Sequence, residues 1–143
     1  MQIPGYRIEP ELRVDRADTT NGIGGGILIY VKCDQTILLC DKIVEFNQYC
    51  KFKLKLIGKN NQLEIISIYR PPKSGHDNDA RLCEIIDAAS DKCIVVGDFN
   101  FPGIDWLNKK VNGKGNGFMQ TCEDNQLDQL VDFPTHVGVI RLI

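Results

Sequence analysis

The sequence predicts an α+β fold, and three observations predict it. "CKFKLKLIG" (50–58) alternates strictly between apolar and lysine, and a turn signal, "KNNQ", separates it from a second strand, "LEIISIYRPP" (63–72). The period then changes from two to 3.6 residues in "NDARLCEIIDAAS" (78–90), the pattern of an amphipathic helix. Finally, "KCIVVGDFN" (92–100) opens on an apolar run without alternation, which predicts a strand buried on both faces. Antiparallel strands followed by helices that cover them give α+β, and residues 1–143 are expected to form one domain.

Taken in order, residues 1–23 are polar and poorly periodic, with no element expected. "GGGILIYVK" (24–32) starts a strand rich in β-branched and aromatic residues. "NGIGGGI" lacks a complete phosphate-loop pattern and precedes a strand, so its glycines predict a turn or bulge. "TILLC" (36–40) and "KIVEF" (42–46) follow, divided by Asp41. In the alternating strand, Phe52, Leu54 and Leu56 face one way, and Lys51, Lys53 and Lys55 form a basic stripe on the other, a solvated face or a surface that tracks phosphates. Pro71 and Pro72 stop its partner. In the first helix Leu82, Ile85, Ile86 and Ala89 form the apolar stripe, with Asn78 or Asp79 placed to cap its start. A loop carrying Pro102, Gly103 and "NGKGNG" leads to a second amphipathic helix over 117–131. Phe118, Cys122, Leu127 and Leu130 lie near one face of it. "DFPTHVGVIRLI" opens a further strand.

Composition narrows the function classes. At 143 residues, with 43% apolar and 25% charged residues, the chain is sized for a real core. A net charge of -2 provides no global basic field. No apolar run approaches the roughly 18 residues of a membrane span, and the start lacks the pattern of a signal peptide. None of the six cysteines forms a C-x-x-C pair, so no structural zinc site and no disulfide partners are expected. Free thiols in apolar patterns predict a reducing compartment, nuclear or cytoplasmic.

Chemistry concentrates at strand ends. Asp98 and Asn100 are two residues apart; if extended geometry persists through Phe99, both side chains project from one face. A carboxylate and a carboxamide there suit an activated water and a phosphate oxygen. Both residue types also favour turns, and that reading stays open. Tyr69 ends the preceding strand and Arg70 follows it. A phenol can donate to a phosphate oxygen and a guanidinium can clamp one, or they are an edge tyrosine and a solvated arginine. Trp106 could stack on a base or anchor its loop to the core. His76 and His136 have no ligand spacing and are expected at the surface.

The ordered set "GGGILIYVK", "LEIISIYRPP", "CIVVGDFNFPGIDW" and "QLVDFPTH" resembles the endonuclease/exonuclease/phosphatase superfamily, and within it the apurinic-type endonuclease domain of animal non-LTR retrotransposons. The resemblance implies a four-layer α/β/β/α sandwich of two mixed sheets flanked by helices. It also implies hydrolysis of a phosphodiester in DNA with Mg²⁺ or Mn²⁺. By the same resemblance Asp98 orients or deprotonates water, Asn100 holds the scissile phosphate and Tyr69 contacts the phosphate or leaving group. Thr135 then lies near the DNA surface. The family's metal-binding glutamate precedes the "GYR" context, and Glu9, Glu11 and Glu45 do not occupy its place. Its closing Asp-His pair lies beyond "RLI". The resemblance therefore implies an internal piece of the domain, truncated at both ends, that binds metal weakly and is catalytically weak or inactive. The competing readings are a non-catalytic remnant or binding domain of the same fold, and a superfamily phosphatase or repair nuclease.

Overall fold

The computed structural model describes residues 2–15, 26–43, 48–55 and 62–131, with the side chains of 39–43, 48–52 and 55 left out. The described chain divides into two compact units, one of residues 1–71 and 89–99, the other of 72–88 and 100–143.

The first unit is built of strands. β1 (Tyr6–Asp15) and β2 (Gly26–Lys32) form an antiparallel pair. β3 (Thr36–Ile43), β4 (Gln48–Lys55), β5 (Gln62–Tyr69) and β6 (Cys93–Asp98) form a sheet in that order. The expected meander is present: β3, β4 and β5 pair antiparallel, with Lys53 opposite Glu64 and Leu54 opposite Leu63. β3 runs straight through Asp41 where two strands were expected. β6 joins β5 in parallel, as a strand reached through a helical crossover does.

β1 corrects the expectation of an unstructured start. Its pattern is hidden because a register shift between Ile8 and Arg13 changes which face its residues take. Past the shift, Leu12 and Val14 turn inward with Ile27 and Val31, all buried, and Ile29, Ile37, Ile65 and Tyr69 pack against them. Two sheets thus face one another across an apolar layer.

The other face of β5 is buried too: Ile66 is 0% and Ile68 1% exposed. That changes the surroundings of Lys53. Lys53 lies opposite Glu64 and sits 4.0 Å from its carboxylate, which is itself buried. The other Glu64 oxygen accepts the Ser90 N–H at 3.1 Å, so the buried charge is hydrogen-bonded and tied to the chain entering β6.

β6 departs from the expectation of a strand buried on both faces. Ile94 and Val96 are 42% and 44% exposed, because β6 is an edge strand and the β1–β2 pair packs over β3, β4 and β5. Register puts Ile94 beside Ile65 and Val96 beside Ser67, so their exposed side chains share the face that β1 and β2 cover elsewhere.

The second unit holds two helices and a short ladder. α1 (His76–Asp87) buries Leu82, Ile85 and Ile86, as expected, while Ala89 lies beyond its end. Gly75 takes the cap position expected of Asn78 or Asp79, and Asn78 instead donates to the buried Ser74 hydroxyl at 3.2 Å. β7 (Ile104–Asp105) and β8 (Lys110–Val111) form a small hairpin inside the expected loop. The Asp105 carboxylate accepts the Asn108 side-chain and main-chain N–H groups, which hold its pKa below the usual carboxylate value. α2 (Asn116–Asp124) buries Phe118, Met119, Thr121 and Cys122 and packs against α1. It ends seven residues before the expected boundary. Gln126 has a φ of 54°, its N–H donates to the Glu123 carbonyl, and the Leu127 N–H donates to the Cys122 carbonyl. That is a Schellman stop. Leu127 and Leu130 therefore lie past the helix, with Leu130 84% exposed. Cys33, Cys83, Cys93 and Cys122 are free thiols. The further strand expected after residue 131 lies outside the described residues.

Candidate active site

β5 and β6 run parallel and end together, with Tyr69 in register with Asp98. Register partners of a parallel pair share a face, about 4.8 Å apart at the backbone. The two residues therefore stand side by side at the carboxyl ends of adjacent strands, the part of an open sheet that presents ligand groups. Tyr69 is half-buried, its ring packed on the Leu12–Val31 cluster, whereas Asp98 is exposed. A ring fixed by packing beside a solvent-facing carboxylate combines a rigid phenol with an ionisable group.

Gly97 makes the approach of the two strands possible. A Cβ there would lie 1.8 Å from the Ile68 carbonyl oxygen. The close neighbour that a glycine at this place anticipates is the backbone of β5.

Beyond Asp98 the strand stops. Asn100 has a φ of 49°, in the left-handed region, so the extended geometry expected through Phe99 does not hold. Strand alternation therefore does not put Asn100 on the face of Asp98. Asn favours such conformations because its short side chain bonds locally. Asp98 ends β6 and Asn100 lies just beyond it in a left-handed conformation, so the shared face expected of the pair is not supplied by the strand.

Arg70 differs from the solvent-facing clamp suggested by its place before two prolines. It is 1% exposed, its N–H donates to the Asp98 carbonyl at 2.8 Å, and its Nη1 donates to the Phe99 carbonyl at 3.3 Å. Trp106 is half-buried and meets Phe118 edge-on at 6.1 Å, while Phe101 stacks on Phe118 at 4.9 Å. Trp106 thus anchors its loop to an aromatic cluster. Thr135, Glu45 and His136 lie outside the described residues; His76 is exposed at the start of α1.

Sequence reasoning passed over Glu64. The signal was available, because a lone carboxylate interrupts the apolar positions of "LEIISIY" on the face of Ile66 and Ile68. A divalent ion fits poorly here: among the described residues no three of His, Cys, Asp and Glu come together to hold one, and Asp98 offers a single carboxylate. Among the described residues, no helix is long and apolar enough to cross a membrane.

A family model described as endonuclease-reverse transcriptase matches residues 63–139, more than half of the chain. The match opens at β5 and takes in α1, β6 and α2, and so contains Tyr69, Arg70, Asp98, Asn100, Trp106 and Thr135. No curated protein matches the sequence.

Proposed function

Because the chain belongs to the endonuclease-reverse transcriptase family, we propose that its site hydrolyses phosphodiester bonds in DNA, introducing nicks. The observation that carries the reading is the register pairing of Tyr69 with Asp98 at the carboxyl ends of two parallel strands. In this reading the exposed Asp98 carboxylate accepts a proton from the attacking water, or orients it. The Tyr69 phenol donates to a phosphate oxygen or to the leaving group, and the Asn100 carboxamide donates to the scissile phosphate. Thr135 belongs to the DNA surface, and the whole domain completes a four-layer α/β/β/α sandwich. Trp106, edge-on to Phe118, holds its own loop in shape. Mg²⁺ or Mn²⁺ is the ion the family implies. The described residues contribute at most Asp98 toward it, so the steps above use the chain's own groups. The proposed setting is nuclear or cytoplasmic.

One observation favours a second reading. Ile94 and Val96, on the Asp98 face of β6, are 42% and 44% exposed. Apolar side chains open beside the candidate groups suit a domain that binds without turning over.

The deciding experiment incubates the purified chain with supercoiled plasmid and Mg²⁺ and follows conversion to open circles. Removing a general base typically costs 10²–10⁴-fold, so Asp98→Ala is expected to slow nicking at least about a hundredfold. Equal nicking by Asp98→Ala would sink the assignment. Plasmid binding without any cleavage would select the second reading.

A further inference from the structure

Arg70 is a fully buried cation one residue beyond Tyr69, and it donates to two successive carbonyls. Its main-chain N–H meets the Asp98 carbonyl, which carries the β5–β6 ladder one step past the Tyr69–Asp98 pair. Its guanidinium meets the next carbonyl, that of Phe99, where no strand pairing is left to hold the chain.

The position of that second bond matters. The Phe99 carbonyl and the Asn100 nitrogen belong to one rigid peptide plane. A donor fixed on that oxygen therefore sets the direction in which Asn100 starts, and Asn100 starts at a left-handed φ of 49°. Such a backbone persists where its surroundings determine it. A guanidinium is well suited to hold it, because the group is always charged, planar and carries five donors, and burial immobilises it.

We propose that Arg70 is a positioning residue, which holds the Asp98–Asn100 segment in its reactive shape through the main chain and makes no contact with the phosphate. This rests on the reading of Asp98 and Asn100 as reacting groups, and the test separates the two claims. The 143-residue chain is labelled with ¹³C and ¹⁵N and compared with Arg70→Lys and Arg70→Met. The signals followed are the Phe99 carbonyl carbon, the Asn100 amide and the exchange rate of the residue-70 amide, alongside plasmid nicking in Mg²⁺.

Arg70→Met is expected to displace the Phe99 and Asn100 signals and to speed exchange of the residue-70 amide. It should lower kcat about tenfold to a hundredfold while KM stays within about twofold, the pattern of misplaced groups. Arg70→Lys keeps a cation and one donor in reach, so it should restore part of both the signals and kcat. A raised KM at unchanged kcat would overturn the proposal, because it marks a direct phosphate contact. Unmoved Phe99 and Asn100 signals in Arg70→Met would overturn it equally. If Arg70→Met does not fold, the same readouts on Arg70→Lys decide, with smaller displacements expected and none overturning the claim. If the unaltered chain cuts nothing, the hydrolase reading fails and the spectroscopic arm still decides what Arg70 holds.

Discussion

The segments on either side of Asn100 are held by different physics. Residues 97–99 lie along β5 with almost no apolar cover. Gly97 sits against the Ile68 carbonyl, and Arg70 takes up the carbonyls of Asp98 and Phe99. Residues 101–118 add apolar packing to main-chain bonds: the Ile104 N–H donates to the Phe101 carbonyl and the Asn112 N–H to the Gly103 carbonyl, while Phe101, Ile104 and Phe118 are buried, with Trp106 edge-on to Phe118. Main-chain bonds fix the direction of individual carbonyls and tolerate exposure. Aromatic packing contributes more stability but specifies direction less tightly. The candidate reacting carboxylate stands on the first kind of support. The second kind carries the loop that follows it.

The largest expected effect breaks the second support. Phe118→Ala removes a ring that is 4% exposed, on which Phe101 stacks and which Trp106 meets edge-on. A loss of about 4 kcal/mol is expected by urea unfolding. Trp106 is the sole tryptophan, so its emission should shift to the red as the ring loses its contact. A loss below about 1 kcal/mol would show that the cluster does not hold the loop.

Next in size is the close approach of the strands. In Gly97→Ala the new Cβ would lie 1.8 Å from the Ile68 oxygen, which is backbone and cannot swing aside. Strands must part, and about 3 kcal/mol of stability is expected to go with the ladder bonds between β5 and β6. Exchange of the residue-70 amide should accelerate with it. A neutral substitution would mean the strands do not approach so closely.

These two supports were unequally legible. The alternation of Phe52, Leu54 and their lysine neighbours exposed the β4–β5 pairing, because a half-buried strand writes its face into every second residue. Asp98 and Tyr69 could be named from their strand-end positions. That they are register partners required the β5–β6 pairing, which couples residues 29 apart. β1 was missed because its inward residues change parity at the register shift, which erases the period. The depth of Arg70 was missed because its bonds go to main-chain oxygens, and a carbonyl has no signature in the sequence. β6 appeared fully buried because an apolar run does not reveal whether a neighbouring strand lies on its far side.

A smaller effect tests the helical pair by pH. Burial first, then the neighbouring Cys83 and Glu123, push the Cys122 thiol up from 9.0 to about 11. The folded state therefore keeps its proton where the unfolded chain loses it. This contribution is complete below pH 9 and is lost as pH rises toward 11. Discounted for partial solvent screening, the loss is about 1 kcal/mol. Cys122→Ala should flatten that alkaline slope, although it lowers stability at pH 7. An unchanged slope would place the thiol in contact with water.

The smallest effect concerns the stop of α2, and its sign is opposite. Gln126 occupies the Schellman position with a φ of 54°, where a side chain costs about 1 kcal/mol relative to glycine. The bonds that close the motif come from main-chain N–H groups, so Gln126→Gly leaves both in place. Glycine also frees the unfolded chain, which offsets part of the relief. A net gain of about 0.5 kcal/mol is expected, readable as a rise in the urea midpoint at constant slope. A loss of stability would mean that the helix continues through Gln126 toward Leu130. The longer amphipathic helix that the periodicity predicts would then replace the main-chain stop as the end of this unit.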